Sequence, residues 1–267
     1  MTMNHTENLA KAIIEVVHTN AVMHFQTDQS AGCHDFNLEY SDGAVVAVEV
    51  TTSTEQSQEA TVAAITDPRK GGAFIKTTLC QKDWYIHPLP NANINRIRAL
   101  ADKYLYDIEA EGLEHFFSGM DTGYYSSVDR IYEELGIERG RVARWKVSGQ
   151  IGIATPGGGG FVMPENLQKA IEIEASKPDN CKKLRLAGTL ERHLFVYVSS
   201  LNFLAWIALA EGDMPTEPPN LPDEITDVWA VTEAGRKDQY VVWKAANKTG
   251  WQNVGLISLN RESQNDV

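Results

Sequence analysis

Cysteine is scarce in this sequence. Its 267 residues include three cysteines, Cys33, Cys80 and Cys181, which lie far apart along the chain. An odd and widely spaced set predicts no disulfide framework. The sequence also lacks a CxxC or HxxxH pair, the spacings typical of zinc ligands, so no zinc site is expected.

Long apolar runs and an excess of positive charge are also missing. No segment approaches the roughly 18 consecutive apolar residues of a membrane span, and the first residues lack a basic stretch followed by an apolar one. We therefore expect a cytoplasmic protein with no membrane partner. The net charge of -12 argues against broad, sequence-independent binding to nucleic acid. It leaves room for a local basic groove, for which Lys182, Lys183 and Arg185 are candidates, although a solvated face is the ordinary explanation of such a cluster.

The pattern of apolar residues predicts a mixture of helices and strands. Residues 6–17 and 91–117 carry apolar stripes at helical spacing. Residues 191–199 form a nearly continuous apolar run, which is typical of a central strand. Because helices alternate with strands throughout, the predicted class is α/β or α+β, with a mixed central β-sheet flanked by helices.

The sequence shows no internal repeat and no clean linker, so we expect a single domain over residues 1–267. Residues 6–117 would form its core, and residues 118–267 would add helices and strands packed on that core. The glycine-rich run of residues 156–161 (PGGGGF) lacks the GxxxxGK[ST] pattern of a phosphate-binding loop. It predicts a flexible loop before a helix.

Residues 33–52 (CHDFNLEYSDGAVVAVEVTT) have the pattern of a β-hairpin with an acid near each outer end. If residues 41–43 form a three-residue loop, Gly43 supplies the positive φ that such a turn needs. One face of the hairpin then carries only apolar side chains, and the other face carries Asp35 opposite Glu49. A two-residue turn would place Glu49 among the apolar residues, so the three-residue register is the consistent one.

In this register the Cβ atoms of Asp35 and Glu49 would lie about 5 Å apart. Like charges directly opposite each other destabilise a strand pair, so the pairing needs an explanation. A divalent cation held between the carboxylates is one, since Mg²⁺ is typically bound by one or two carboxylates together with waters and phosphate oxygens. The ordinary alternative is that both acids point into solvent at the strand ends and repel each other weakly.

An acid that opens one strand, a hairpin, and a second acid on the next strand resemble the restriction-endonuclease-like PD-(D/E)xK superfamily. Asp35 matches the first acid of that pattern, and residues 49–51 (EVT) match its acid-x-Lys segment. Members often carry a further glutamate on the preceding helix, where Glu7 lies at the edge of the apolar stripe. The resemblance covers about residues 6–52.

The resemblance implies a restriction-endonuclease-like core, which the strand predicted over residues 83–88 and the helix after it would complete. The sequence departs from the pattern at two positions. His34 stands where a proline often precedes the first acid, and Thr51 stands at the position of the lysine. In active members that lysine helps to position and activate the attacking water beside the metal. Some members supply it from elsewhere in the site, and Lys70 or Lys76 would be candidates here.

The function implied by the resemblance is that of a nuclease, which hydrolyses phosphodiester bonds of DNA with Mg²⁺ or Mn²⁺ in restriction, repair or defence. Asp35 and Glu49 would hold the metal, Glu7 would assist through a water, and Thr51 would orient the nucleophile. Nucleic acid would be the partner, and homodimers are common in the superfamily. The alternative is a catalytically inactive binding module or assembly subunit of the same fold, which the missing lysine and the negative net charge favour.

Overall fold

The chain forms two compact units in the computed structural model, which describes residues 3–27, 32–118, 127–143, 149–156, 162–211, 214–247 and 249–259. The first unit comprises Met1–Thr54 and Gly160–Val267, and the second comprises Glu55–Gly159. The second unit is therefore an insertion between the two segments of the first.

The described residues form seven α-helices and twelve β-strands. The helices are α1 (His5–Val17), α2 (Gln56–Thr66), α3 (Ile94–Ala110), α4 (Ser127–Leu135), α5 (Pro164–Ala175), α6 (Pro178–Leu186) and α7 (Phe203–Glu211). The strands are β1 (Ala21–Phe25), β2 (Phe36–Tyr40), β3 (Val45–Ser53), β4 (Phe74–Lys76), β5 (Trp84–Pro88), β6 (His115–Phe117), β7 (Ile137–Val142), β8 (Gln150–Ile153), β9 (Glu191–Val198), β10 (Asp227–Glu233), β11 (Gln239–Ala246) and β12 (Gly250–Ser258). The predicted α+β class is confirmed.

The first unit is built on a seven-stranded sheet in the order β1-β2-β3-β9-β10-β11-β12. The strands β1, β2 and β3 pair antiparallel, β3, β9 and β10 pair parallel, and β10, β11 and β12 pair antiparallel again. Parallel neighbours need a crossover connection between them. The crossover from β3 to β9 includes the helices α5 and α6, which lie against β3.

Two apolar layers cover the two faces of this sheet. On one face α1 packs through Leu9, Ile13 and Ile14 against side chains that include Val46 and Val48. On the other face α5, α6 and α7 pack against a layer that includes Ala47. Because side chains alternate along a strand, consecutive residues of β3 enter different layers. The strand β3 is therefore interior, because it has a neighbouring strand on each side and helices cover both of its faces.

The hairpin formed by β2 and β3 has the predicted register. Phe36 pairs with Val48, and Asn37 pairs with Ala47. The backbone N–H of Tyr40 donates to the carbonyl of Ala44 at 2.9 Å, which closes the three-residue loop. Gly43 has the expected positive φ, at 87°.

The part of this hairpin face that carries Asp35 and Glu49 is not open to water, which rules out the alternative that these acids point into solvent. Ala47 is fully buried and Glu49 is 2% exposed, because α5 and α6 cover this face of β3. A period of two shows which residues share a face of a strand. It carries no information on whether a helix from a distant part of the sequence covers that face.

The predicted core over residues 6–117 is not a single sheet. The strand expected at residues 83–88 is β5, which lies in the five-stranded sheet of the second unit, in the order β4-β8-β5-β7-β6. The helix expected over residues 91–117 ends earlier, at Ala110, and residues 115–117 form β6. An apolar pattern identifies a strand without specifying the sheet that it joins.

Three further expectations concern the cysteines, membrane-spanning helices and the glycine-rich loop. Cys33, Cys80 and Cys181 are free thiols, as predicted. Among the helices that the structure describes, none combines the length and the apolar character needed to cross a membrane. In the predicted glycine-rich loop, residues 157–161 lie outside the described residues.

Candidate active site

Asp35 and Glu49 are brought together by the start of β2 and the middle of β3. Asp35 directly precedes β2, and Glu49 lies in β3 opposite it in the register that the hairpin sets. The Oδ2 atom of Asp35 accepts a hydrogen bond of 2.8 Å from the backbone N–H of Val50. Both side chains are buried, with Asp35 8% and Glu49 2% exposed. The predicted juxtaposition of two acids is therefore present, in a buried environment.

The lysine of the site comes from helix α6. Lys183 Nζ donates to Glu49 Oε1 at 2.7 Å and lies 3.3 Å from Oδ2 of Asp179, one turn earlier in the same helix. The predicted alternatives, Lys70 and Lys76, belong to the second unit. An ammonium group thus stands beside the acid pair although the motif position on β3 carries Thr51.

Burial dominates the electrostatics of the acid pair. The pKa of the Glu49 carboxyl is raised to about 8, first by burial and then by the negative charge of Asp35, although the bond from Lys183 lowers it. Burial likewise raises the pKa of Asp35, against the lowering effects of the Val50 N–H and the Lys183 charge. Burial lowers the pKa of Lys183, but its bond to Glu49 outweighs this and holds that pKa above the usual range. The lysine is therefore charged at pH 7, and burial together with the Asp35 charge makes Glu49 easier to protonate than an ordinary glutamate.

One oxygen of the acid pair has no hydrogen-bond partner among the described residues. Oε1 of Glu49 is bonded to Lys183, whereas Oε2 is buried and makes no hydrogen bond of ordinary geometry, although Glu49 interacts electrostatically with Asp35. A buried acceptor without a partner costs free energy. Carboxylate oxygens are the ligands that Mg²⁺ prefers, so this atom and the Asp35 carboxylate fit a divalent cation.

Asp35 and Glu49 are the two side chains that would hold such a cation. In the part of the chain that the structure describes, no group of three or more His, Cys, Asp or Glu residues is arranged to hold a metal ion. Waters and substrate phosphate oxygens complete the coordination of Mg²⁺ at sites of this kind.

Thr51 belongs to a second polar cluster, two residues beyond Glu49 on the same face of β3. Its Oγ1 donates to Oε2 of Glu174 on α5 at 3.1 Å. Lys177 Nζ lies 2.6 Å from the same carboxylate oxygen. Glu174 is 2% exposed, and its backbone carbonyl accepts a hydrogen bond from Asn180 Nδ2 at 2.9 Å, which ties α6 to the end of α5.

Glu7 is held by the start of its own helix. Asn4 and Glu7 form a capping box, in which the Asn4 N–H donates to Glu7 Oε2 at 2.7 Å and the Glu7 N–H donates to Asn4 Oδ1 at 2.9 Å. This end of α1 lies near the end of β3, where Thr6 Oγ1 and Thr52 Oγ1 are 3.4 Å apart. Burial is the main cause of the raised pKa of Asp35, and the negative charge of Glu7 adds to it.

Sequence reasoning did not assign Lys183, Glu174 or Lys177 to the site. Lys183 lies 134 positions after Glu49, so no local spacing connects them. The basic cluster that includes Lys183 was visible, although it is more often a solvated face. Glu174 gave a clearer signal, because it interrupts the apolar face of α5 between Ile171 and Ala175, and all three are buried.

Comparison with known proteins gives no family for the chain. No protein-family model matches it, and no curated protein or solved structure does either.

Proposed function

We propose that this protein is a nuclease that hydrolyses phosphodiester bonds of DNA with Mg²⁺ or Mn²⁺. The observation that carries the proposal is the convergence of Asp35, Glu49 and Lys183 from three elements on one buried point. The unpaired Oε2 of Glu49 supports it, since a cation would satisfy that atom. The resemblance of the hairpin to the PD-(D/E)xK pattern supports it further.

Asp35 and Glu49 are the residues that would hold the metal. When bound there, a divalent cation lowers the pKa of a coordinated water and offsets negative charge on the phosphoryl group. Glu7 adds negative charge near Asp35, and in the proposed site it assists through a water. The hydrophobic layers around β3 exclude bulk water, which strengthens each of these interactions.

Lys183 takes the role that the motif lysine has in the superfamily. Its ammonium group stands at Glu49 and can donate to the attacking water or to a phosphate oxygen. In the reaction the water oxygen forms a bond to phosphorus while the P–O ester bond breaks. One proton of the water ends on the released hydroxyl, and the phosphomonoester retains the new oxygen.

Cleavage assays with isosteric variants test the proposal. Plasmid and single-stranded DNA are incubated with Mg²⁺ or Mn²⁺ and the wild-type protein, Asp35→Asn or Glu49→Gln. We expect cleavage by the wild type and none by either variant. Glu39→Gln is the matched control, because Glu39 is an exposed acid of the same hairpin, and it should cleave like the wild type. Cleavage that persists in Asp35→Asn or Glu49→Gln contradicts the proposal.

The non-catalytic binding module is the second candidate, and one observation favours it. Lys183 already supplies a positive charge to the acid pair, so the pair is accounted for without a metal. If the wild type cleaves none of the substrates and Mn²⁺ leaves its melting temperature unchanged, Lys183 is a structural counter-ion. A homodimer or a larger assembly would then carry the function, which sedimentation of the wild-type protein tests.

A further inference from the structure

The hydrogen bond from Thr51 to Glu174 restricts what the Thr51 hydroxyl can do. A threonine hydroxyl has one proton to donate and two lone pairs that accept. Its proton is directed to Glu174 Oε2 at 3.1 Å. The lone pairs are what Thr51 presents to any other group, so towards a water it is an acceptor.

Glu174 is fixed strongly enough to impose this direction. Its carboxylate is 2% exposed, and the oxygen that binds Thr51 is also 2.6 Å from Lys177 Nζ. A carboxylate that is ion-paired with an ammonium group has no proton to donate. The reverse hydrogen bond, from Glu174 to Thr51, is therefore excluded while the Lys177 pair is intact.

The position of Thr51 places this acceptor beside the proposed centre. Thr51 and Glu49 are two residues apart on the same face of β3, which corresponds to about 7 Å along the strand. We propose that Glu174 is a positioning residue, which makes the Thr51 hydroxyl a hydrogen-bond acceptor for the attacking water. The inference rests on the proposed function of the site. It gives Thr51, at the motif lysine position, a role opposite in direction to that of a lysine, which can only donate.

Thr51→Val and Thr51→Ser separate this role from a packing role. Valine has nearly the shape of threonine and lacks the hydroxyl, whereas serine keeps it. We expect kcat to fall about tenfold in Thr51→Val and to stay within about twofold of wild type in Thr51→Ser, with KM unchanged in both. Thr52→Val is the matched control, because Thr52 lies on the other face of β3 near Thr6, and it should leave kcat unchanged.

Glu174→Gln tests whether the hydroxyl acts through Glu174. A glutamine amide can donate to Thr51, which would turn the hydroxyl proton towards the water. We therefore expect Glu174→Gln to lower kcat as Thr51→Val does. The double variant, Thr51→Val with Glu174→Gln, should be no slower than Glu174→Gln alone. Mn²⁺ affinity, measured by calorimetry, should stay at the wild-type value in each variant, because neither residue is assigned as a ligand.

Several results overturn the inference. Wild-type kcat in Thr51→Val, an equal loss in Thr51→Ser, or multiplicative losses in the double variant each contradict it. A loss of Mn²⁺ affinity in Glu174→Gln would make Glu174 part of the cation site instead. If Glu174→Gln does not fold, the valine and serine variants decide the question. If the wild type cleaves nothing, or Asp35→Asn still cleaves, the proposed function fails and the inference fails with it.

Discussion

The ion pair between Lys183 and Glu49 is the contact that defines the candidate site at the scale of single residues. A buried pair is weak evidence for stability, because the cost of removing both charges from water offsets their attraction. Removing one partner is a different matter, since the other is then left buried without its hydrogen bond. The pair can therefore be tested by comparing single and double substitutions.

We expect Lys183→Met to lower the free energy of unfolding by about 1–3 kcal/mol, because Glu49 Oε1 would lose its donor in a buried site. Lys182→Met is the control, since Lys182 is the exposed neighbour in the same helix, and its effect should stay within about 0.5 kcal/mol. Urea denaturation without divalent cations measures both.

A double variant, Lys183→Met with Glu49→Leu, should recover most of this loss, since an apolar pair can replace a buried ion pair at little cost. Equal losses in Lys182→Met and Lys183→Met would show that the ion pair does not form in solution. An additive loss in the double variant would show that Glu49 contributes through contacts other than Lys183.

At the residue scale, the sequence could predict the acids of the site and not their partners. Asp35 and Glu49 are close in sequence, and the hairpin period places them face to face. Lys183, which contacts Glu49, lies on α6, and the whole second unit separates the two residues in the sequence. The pairing of residues that far apart depends on how helices pack, which periodicity does not specify.

The turn between β2 and β3 is the element that sets the geometry of the acid pair. Gly43 has a φ of 87°, and nothing lies within 4 Å of where a Cβ atom would be. A side chain at this position would therefore strain the backbone without meeting a neighbour. A shift of one residue in the register would move every side chain of the hairpin to the other face and separate Asp35 from Glu49.

We expect Gly43→Ala to lower the free energy of unfolding by about 1 kcal/mol, which is the order of the cost of left-handed backbone for an ordinary residue. Gly43→Asn should cost less, because asparagine tolerates this conformation better. Urea denaturation of the two variants beside the wild type checks the order. Alanine and asparagine variants as stable as the wild type would contradict the assigned turn.

At the element scale, the strands β5 and β9 followed from the pattern of their apolar residues, whereas the sheet that β5 joins did not. The run over residues 191–199 correctly predicted β9 as a central strand, because its apolar side chains serve both layers of the core. The strand β5 was also predicted correctly, but the prediction that it joins the same core as the hairpin was wrong. A strand shows the same alternation of apolar and polar residues in either sheet. The alternation therefore does not identify the strand with which it pairs.

For the whole molecule, the negative charge and the position of the site bear on its function. The net charge of -12 is spread over a chain in which Lys177, Lys183 and Arg185 cluster at helix α6 and just before it. Each of these three cations is paired with a glutamate in the first unit. We therefore expect any DNA binding to depend on displacing such pairs, or on the metal itself, rather than on a large basic surface.

A crystal structure with Mn²⁺ gives the most direct test of the central claim, that Asp35, Glu49 and Lys183 form one metal-dependent hydrolytic centre. Anomalous scattering locates the ion without reference to activity. We expect a peak bonded to the Asp35 carboxylate and to Oε2 of Glu49, the atom that has no partner among the described residues. A structure at saturating Mn²⁺ with no peak there, and with Lys183 still bonded to Glu49, would contradict the claim.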